Sequence, residues 1–413
     1  MAPTVLVLWC GFPNGARIVR SLKDAGFNVI GAFPRDRAGG RSAACPRPLR
    51  YPSPVSTPEG FMPWLVATCA RYDVDVVLPV DEDVVRLVAH NRAALDGITV
   101  VGPTAEQYRA LSDKRRLAET ALLLGLDTPA TVEVDATGPT GAYPPLPSMV
   151  KPQTSGSEVE APAMVHTAEE RDAMVGRLVD SGYGAIVQER IDGPRWVVHS
   201  VRGPGGVFEH VVHAVRLEWP RGCGLATMKQ ALPAPARLAE AAKALLDHVD
   251  YLGPSGISFL EQNGRFYPHD VNLRLGATTA ASINCGFDFP RRAVEAVLGI
   301  NDRPFDGSPD RRAVHMRFDQ ELRALISSAK RRDARALGGN LMRVLRVGLG
   351  RNGMLDPSPL SPWWLWSLVG TKVGTRAREL APPGRTWTPD QPDRRTDPAR
   401  RITHSSPASV AGH

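Results

Sequence analysis

Three polar side chains recur at every second position in the stretch "FYPHDVNLRLG": Asp270, Asn272 and Arg274. On an extended chain alternate residues share a face, so these three point the same way. A carboxylate, an amide and a guanidinium on one strand face do not sit unpaired in an apolar core. Asp270 and Asn272 are hard oxygen donors of the kind Mg²⁺ takes beside phosphate oxygens and water. Arg274 is a fixed cationic fork suited to a phosphoryl or carboxylate group. A polar ladder on an exposed sheet face is the other reading of the same spacing. The stretch follows the strand "SGISFLEQ" across Asn263-Gly264, a dipeptide that predicts a hairpin. Asn284, Gly276 and Gly286 follow in the next loop.

Two further stretches carry chemistry. Lys151 ends the apolar strand "SMVKP", and the small residues Thr154, Ser155, Gly156 and Ser157 come straight after it. A strand-end Lys is a point charge for phosphate, and small residues let backbone N–H groups approach phosphate oxygens. A surface Lys beside a loop fits the same pattern. In "IVQERIDG" an apolar strand meets Gln188, Glu189 and Arg190 before turning at Gly193. It reads as a hinge offering backbone groups to a purine edge, or as an edge strand turning into solvent. "HAVRLEWPRGCG" brings Arg216 and Arg221, candidates for an anionic acceptor.

The elements around these residues predict a fold class of α/β and α+β. "TVLVLWCG" and "NGARIVRSLKDAGFNVIGAF" read as strand, turn, amphipathic helix and strand, with Ile18, Val19 and Leu22 inward and Gly26 as the stop. "DVDVVLPV" with "DEDVVRLVAHNRAAL", then "ITVVGP", continue the alternation, which implies a doubly wound parallel unit over residues 1–108. Gly11 and Gly15 do not make the G-x-G-x-x-G fingerprint, so a NAD site there is poorly supported. Ser112 or Asp113 caps a helix carrying Leu117, Ala121 and Leu124 inward, and Gly125 ends it.

Composition sets wide bounds. The 413 residues are 43% hydrophobic and 23% charged, the range of an ordinary globular chain. No secretory signal is apparent, and no run approaches the roughly 20 apolar residues of a membrane span. Five scattered cysteines without metal spacing point to reduced thiols and a cytoplasmic protein. The net charge of +7 is concentrated beyond residue 300, where 20 Lys and Arg face 11 Asp and Glu. Charge without a stacking platform or recognition motif predicts no nucleic-acid partner.

In their order, "SDK", "MVKPQTSGS", "VQERIDG" and "GISFLEQNGRFYPHDVNLRLG" resemble the ATP-grasp superfamily, in its carbamoyl-phosphate-synthase-like, carboxylate–amine ligase branch. The resemblance runs to about Ile300. It implies a pre-ATP-grasp domain over 1–108 and a two-lobed grasp domain over 109–300, with lobes of about 115–190 and 191–300. ATP would lie between the lobes, with Lys114 and Lys151 on its phosphates and the loop of Ser155, Gly156 and Ser157 as a lid. Gln188, Glu189, Arg190 and Ile191 would receive the adenine. Asp270 and Asn272 would hold Mg²⁺ (or Mn²⁺), and Arg274 would act on the transferred phosphoryl group or its acceptor. The implied reaction activates a small-molecule carboxylate as an acyl-phosphate and joins it to an amine. Three positions depart from the family pattern, the mildest being Asp270, a carboxylate one methylene shorter than the family's usual Glu. Ser258 stands where a third metal ligand is usual, with Glu261 as a nearby substitute, and Arg195 stands where a ribose-binding Glu is frequent. They open the alternative of a catalytically impaired ATP-binding module with a regulatory or scaffold role.

Residues 301–380 read as a basic, partly helical extension and 381–413 as a disordered tail. "WWLW" (Trp363, Trp364, Leu365, Trp366) with its arginines either packs on the catalytic lobes or lies on an anionic membrane surface.

Overall fold

The computed structural model describes residues 2–11, 14–37, 40–156, 159–219, 224–233, 235–300, 305, 308–351 and 353–356. Ser157, Arg221, the Trp-rich segment and the predicted tail lie outside the described residues.

The N-terminal unit runs β1 (Thr4–Leu8), α1 (Asn14–Asp24), β2 (Asn28–Pro34), β3 (Leu49–Tyr51), α2 (Pro58–Arg71), β4 (Val76–Pro79), α3 (Glu82–His90) and β5 (Thr99–Val100). Its sheet is wholly parallel in the order β3-β2-β1-β4-β5, the doubly wound arrangement that the alternation predicts. Ile18, Val19 and Leu22 are buried on α1 and Gly26 takes φ +89° beyond it. β3 and α2 carry no counterpart in the sequence reading; α2 is apolar on several sides and has Pro63 within it.

Two helices follow, α4 (Ala105–Ser112) and α5 (Lys114–Leu123). Asp113 caps α5 by accepting from the N–H groups of Arg115 and Arg116, while Ser112 closes α4. Leu111 and Leu117 share one core with Tyr251, Ile257 and Val271, so α5 is packed on the large lobe.

The small lobe holds β6 (Thr131–Asp135), β7 (Gly138–Pro139), β8 (Ser148–Pro152), β9 (Ala163–Val165), α6 (Ala168–Asp180) and β10 (Ala185–Glu189). Its five strands take the order β7-β6-β10-β8-β9 around a separate core.

The large lobe holds β11 (Arg195–Arg202), β12 (Phe208–Trp219), β13 (Leu225–Ala231), α7 (Ala236–His248), β14 (Gly253–Gln262), β15 (Arg265–Asn272), α8 (Thr279–Asn284) and α9 (Phe289–Leu298). The first part of the basic extension is built onto it: β16 (Val314–Arg317), α10 (Phe318–Lys330), α11 (Ala334–Leu349) and β17 (Gly353–Asp356). β16 pairs antiparallel with β13 and β17 parallel with β16, giving a seven-stranded sheet β15-β14-β11-β12-β13-β16-β17.

The predicted hairpin is present: β14 pairs with β15, and Asn263 and Gly264 take φ +54° and +75° as a type I′ turn requires. The N-terminal unit docks on the large lobe through a common core, in which Ile18 and Leu22 meet Val201, Phe287 and Phe289. Among the described residues no helix is long and apolar enough to cross a membrane.

Candidate functional site

A cleft of about 1220 Å³ opens between the two lobes. β8 and β10 bring Lys151 and Gln188 to it from the small lobe, and β15 brings Asp270 and Asn272 from the large one. Arg274 follows just beyond β15, and Lys114 enters from the first position of α5. Residues separated by more than a hundred positions thus meet in one space.

The sheet face argued from the spacing exists, with one irregularity. Ser258 lies directly opposite Asp270, but Phe259 pairs with Pro268, leaving His269 as an extra residue. Such a bulge interrupts alternation. His269 and Asp270 both line the cleft as a result. His269 Nε2 is buried without a hydrogen-bond partner among the described residues. Burial first, and the Lys151, Arg195 and Lys114 charges after it, hold this imidazole neutral.

The cationic end is built from two lysines. Lys114 Nζ donates to Ser155 Oγ at 3.1 Å and lies 3.9 Å from Asp270 Oδ1, bridging the loop after β8 and the large lobe. Lys151 Nζ donates to Gln188 Oε1 at 2.7 Å, and Gln188 Nε2 donates to Thr131 Oγ1 at 2.9 Å. The Gln188 side chain is therefore occupied in holding Lys151. Burial, then the neighbouring Lys114 charge, pushes Lys151 down to about 8. Gly156 lies against Val159 and Asp83 Oδ1, where a Cβ would come within 2.9 and 3.3 Å of them.

The hinge stretch lines the cleft from Gln188 to Gly193. Glu189 is exposed and its Oε2 accepts from the Ala130 N–H at 3.3 Å, while Arg190 pairs with Asp192. Ile191 is buried. A Cβ on Gly193 would fall 1.7 Å from the Glu261 carbonyl oxygen, so the turn into β11 accepts only glycine.

Three residues have partners that the sequence alone does not show. Arg274 is not a free cation: its Nε donates to Glu82 Oε2 at 2.6 Å, and the Tyr108 hydroxyl donates to Glu82 Oε1 at 2.9 Å. Glu261 does not substitute for the third metal ligand, because it accepts from Trp196 Nε1 at 2.8 Å and stands outside the cleft lining. Arg195 does not stand alone at the ribose position, since it lies 3.3 Å from Glu218 and donates to the Gly224 carbonyl. Among the described residues no three His, Cys, Asp or Glu side chains gather to hold a metal ion.

Lys229 and its neighbours were missed by sequence reasoning. Lys229 is 3% exposed, donates to Thr278 Oγ1 at 2.9 Å and makes no ion pair among the described residues. Its ammonium is pushed well down, by burial and then by Arg195 and Arg317. Thr278 Oγ1 also lies 3.1 Å from His199 Nε2, and His199 Nδ1 lies 2.6 Å from Ser282 Oγ. The available signal was alternation: in "LATMKQA" the lysine falls on the buried face with Thr227 and Ala231. A buried lysine without a counter-ion holds its charge more readily once an anion is beside it. Arg216 also lines this side, donating to Gln230 Oε1 at 3.1 Å, and α10 contributes Gln320 and Arg323.

No family model matches the sequence, and no curated protein matches it. Solved structures do match the fold. One is the biotin carboxylase–β-γ-ATP complex from Campylobacter jejuni, with TM-score 0.59, 16% identity and coverage of 76% of this chain and 74% of that one. Another is the L-amino acid ligase from Bacillus licheniformis, with TM-score 0.58, 16% identity and coverage of 73% and 77%. A third is the biotin carboxylase domain of Hydrogenobacter thermophilus 2-oxoglutarate carboxylase with MgADP, ADP and bicarbonate, at TM-score 0.59, 14% identity and coverage of 76% and 73%. With these neighbours, and with its two lobes closing on a lysine-rich cleft, the chain has the fold of the ATP-grasp superfamily.

Proposed function

We propose that this protein is an ATP-dependent ligase that phosphorylates a small-molecule carboxylate and joins the acyl-phosphate to an amine, releasing ADP and phosphate. The observation that carries it is the convergence of Lys114 and Lys151 with Asp270 and Asn272 in one interlobe cleft. Phosphoryl transfer asks for charge neutralisation and alignment more than for a protein nucleophile, and this cleft offers those. ATP between lobes also agrees with the nucleotides named for the biotin carboxylase neighbours.

The donor set fits one magnesium ion. Asn272 Nδ2 donates to Asp270 Oδ2 at 2.8 Å, which holds the two side chains together and leaves Asn272 Oδ1 and Asp270 Oδ1 as hard donors. Mg²⁺ keeps several waters and takes one or two carboxylates with substrate phosphates, so a third protein ligand is not required. When bound by Asp270 and Asn272, Mg²⁺ or Mn²⁺ would neutralise charge on the phosphate oxygens. Lys151, oriented by Gln188, and Lys114, oriented by Ser155, would bind the phosphate chain. The Lys229 ammonium would receive the anionic acceptor or its phosphorylated form, and Arg274 would be aimed at it by Glu82.

Ser258 opposite Asp270 favours a second reading, nucleotide binding without turnover. ADP release across a panel of carboxylic acids and amines separates the two. The ligase reading expects release that depends on both acid and Mg²⁺ and disappears in Lys151→Ala and Asp270→Ala. Magnesium-enhanced ATP binding with no release on any pair would leave the binding module instead.

A further inference from the structure

We propose a second ligand site in this protein, for a small zwitterion of the α-amino acid type, in the cavity between the end of β12 and the α10–α11 hairpin. The inference goes beyond the ligase reading and does not depend on it. The cavity measures about 280 Å³, room for an amino acid and too little for a nucleotide.

Two groups of opposite charge line it with no ion pair between them among the described residues, the buried Glu321 and the half-buried Arg343. Glu321 is 3% exposed, and its carboxylate makes no hydrogen bond or ion pair among the described residues. Arg343 donates through Nη2 to Asn340 Oδ1, and its buried Nε has no partner among the described residues. Asn340 is itself fixed, donating to Ser328 Oγ at 3.3 Å, and Ser328 donates to the Ala324 carbonyl at 3.0 Å. The guanidinium is thus held by a chain of hydrogen bonds that ends on the α10 backbone, and it makes no ion pair with Glu321.

The carboxylate of buried Glu321 calls for donors, and the buried Nε of Arg343 for an acceptor. A ligand with only one charge would meet one of these two groups and leave the other unmet. A zwitterion satisfies both, its ammonium on Glu321 and its carboxylate on Arg343, with no change in net charge. Trp219 and Leu217 form the apolar part of the wall, which suits an uncharged, apolar side chain.

The cavity is distinct from the ATP cleft but borders it. At about 100° per helical residue, Gln320 and Arg323 fall on one side of α10 and line the cleft, while Glu321 and Ser328 fall on the adjacent side and line the cavity. Leu217, Glu218 and Trp219 border both.

The test is calorimetric titration of the full chain with L-alanine, L-leucine and L-phenylalanine, each beside its deaminated acid and its decarboxylated amine, and separately with a non-hydrolysable ATP analogue. At least one amino acid should bind at one per chain, with both of its single-charge analogues at least tenfold weaker. Glu321→Gln and Arg343→Met should each weaken that amino acid at least tenfold, with no fall in the thermal unfolding temperature and ATP-analogue affinity unchanged. A chain that binds the ATP analogue but none of the three amino acids overturns the proposal, the cavity then holding water only. Amino-acid binding that survives both variants overturns it too. The ligase reading fails separately, by absence of ADP release, whatever the amino acids do.

Discussion

Arg274 Nε and Glu82 Oε2 meet at 2.6 Å across 192 positions of sequence, joining the large lobe to the N-terminal α/β unit at the edge of the cleft. Both side chains are largely buried, at 17% and 10% exposure. Glu82 lies at the start of α3, beyond the carboxyl end of β4, where open α/β sheets present their functional loops. The N-terminal unit is therefore part of the site through one carboxylate.

Breaking that pair strands a buried guanidinium. Glu82→Ala should lower unfolding stability by about 3 kcal/mol, the scale seen when one partner of a buried pair is removed. Adding Arg274→Met to it should recover a good part of the loss, because no charge then remains to be compensated. Urea denaturation of the two single variants and the double variant measures the coupling. Additive losses would mean that the contact carries no weight in the folded protein.

On the proposed ligase reading, the Lys151 ammonium should make nucleotide binding depend on pH. Its pKa falls from the ordinary 10.5 to about 8 in the folded chain. Between those values the unfolded chain binds more protons, so this group makes stability rise with pH from about 8 to about 10.5. ATP favours the protonated form, so ATP-analogue affinity should weaken as pH rises above about 8. Binding there should take up a proton, visible as a calorimetric enthalpy that varies with the ionisation enthalpy of the buffer. Lys151→Met should abolish the proton uptake along with most of the affinity.

Ser258 sits opposite Asp270 and lines the cleft, so a longer acidic side chain there would reach the same space. Ser258→Glu should tighten Mg²⁺ or Mn²⁺ in the nucleotide complex on the order of tenfold, about 1.4 kcal/mol, by adding a charged oxygen donor. Manganese titration followed by water proton relaxation reads this directly. No change in metal affinity would remove Ser258 from the metal's surroundings.

Much of the site was legible because it depends on local rules. Alternation put Asp270, Asn272 and Arg274 together, Asn263-Gly264 announced the hairpin, and the small residues after Lys151 marked the loop that Ser155 now ties to Lys114. What escaped depends on long-range packing. His269 enters the cleft through a bulge, which has no signature in composition. Glu82 reaches Arg274 only because α1 and α9 fuse two units into one core. The basic charge beyond residue 300 suggested a surface segment, yet β16 pairs with the Lys229 strand and α10 forms one wall of the cleft. Strand pairing of that kind is a property of the assembled sheet.

Lys229 gives the sharpest separation of stability from function. Its ammonium lies in a site 3% exposed, beside Arg195 and Arg317 and without a carboxylate partner among the described residues, an arrangement that costs stability while no anion is present. Lys229→Met keeps an unbranched side chain, one heavy atom shorter, and removes the charge. Thr278 retains His199 as its hydrogen-bond partner. The variant should be more stable by on the order of 2 kcal/mol and should unfold at a higher temperature. Acid-dependent ADP release should nevertheless be lost, because the anion has no cation to meet. Orthophosphate should raise the unfolding temperature of the natural chain and not that of the variant. A variant that is less stable, or that still responds to phosphate, would show that Lys229 is a structural lysine and not the anion's partner.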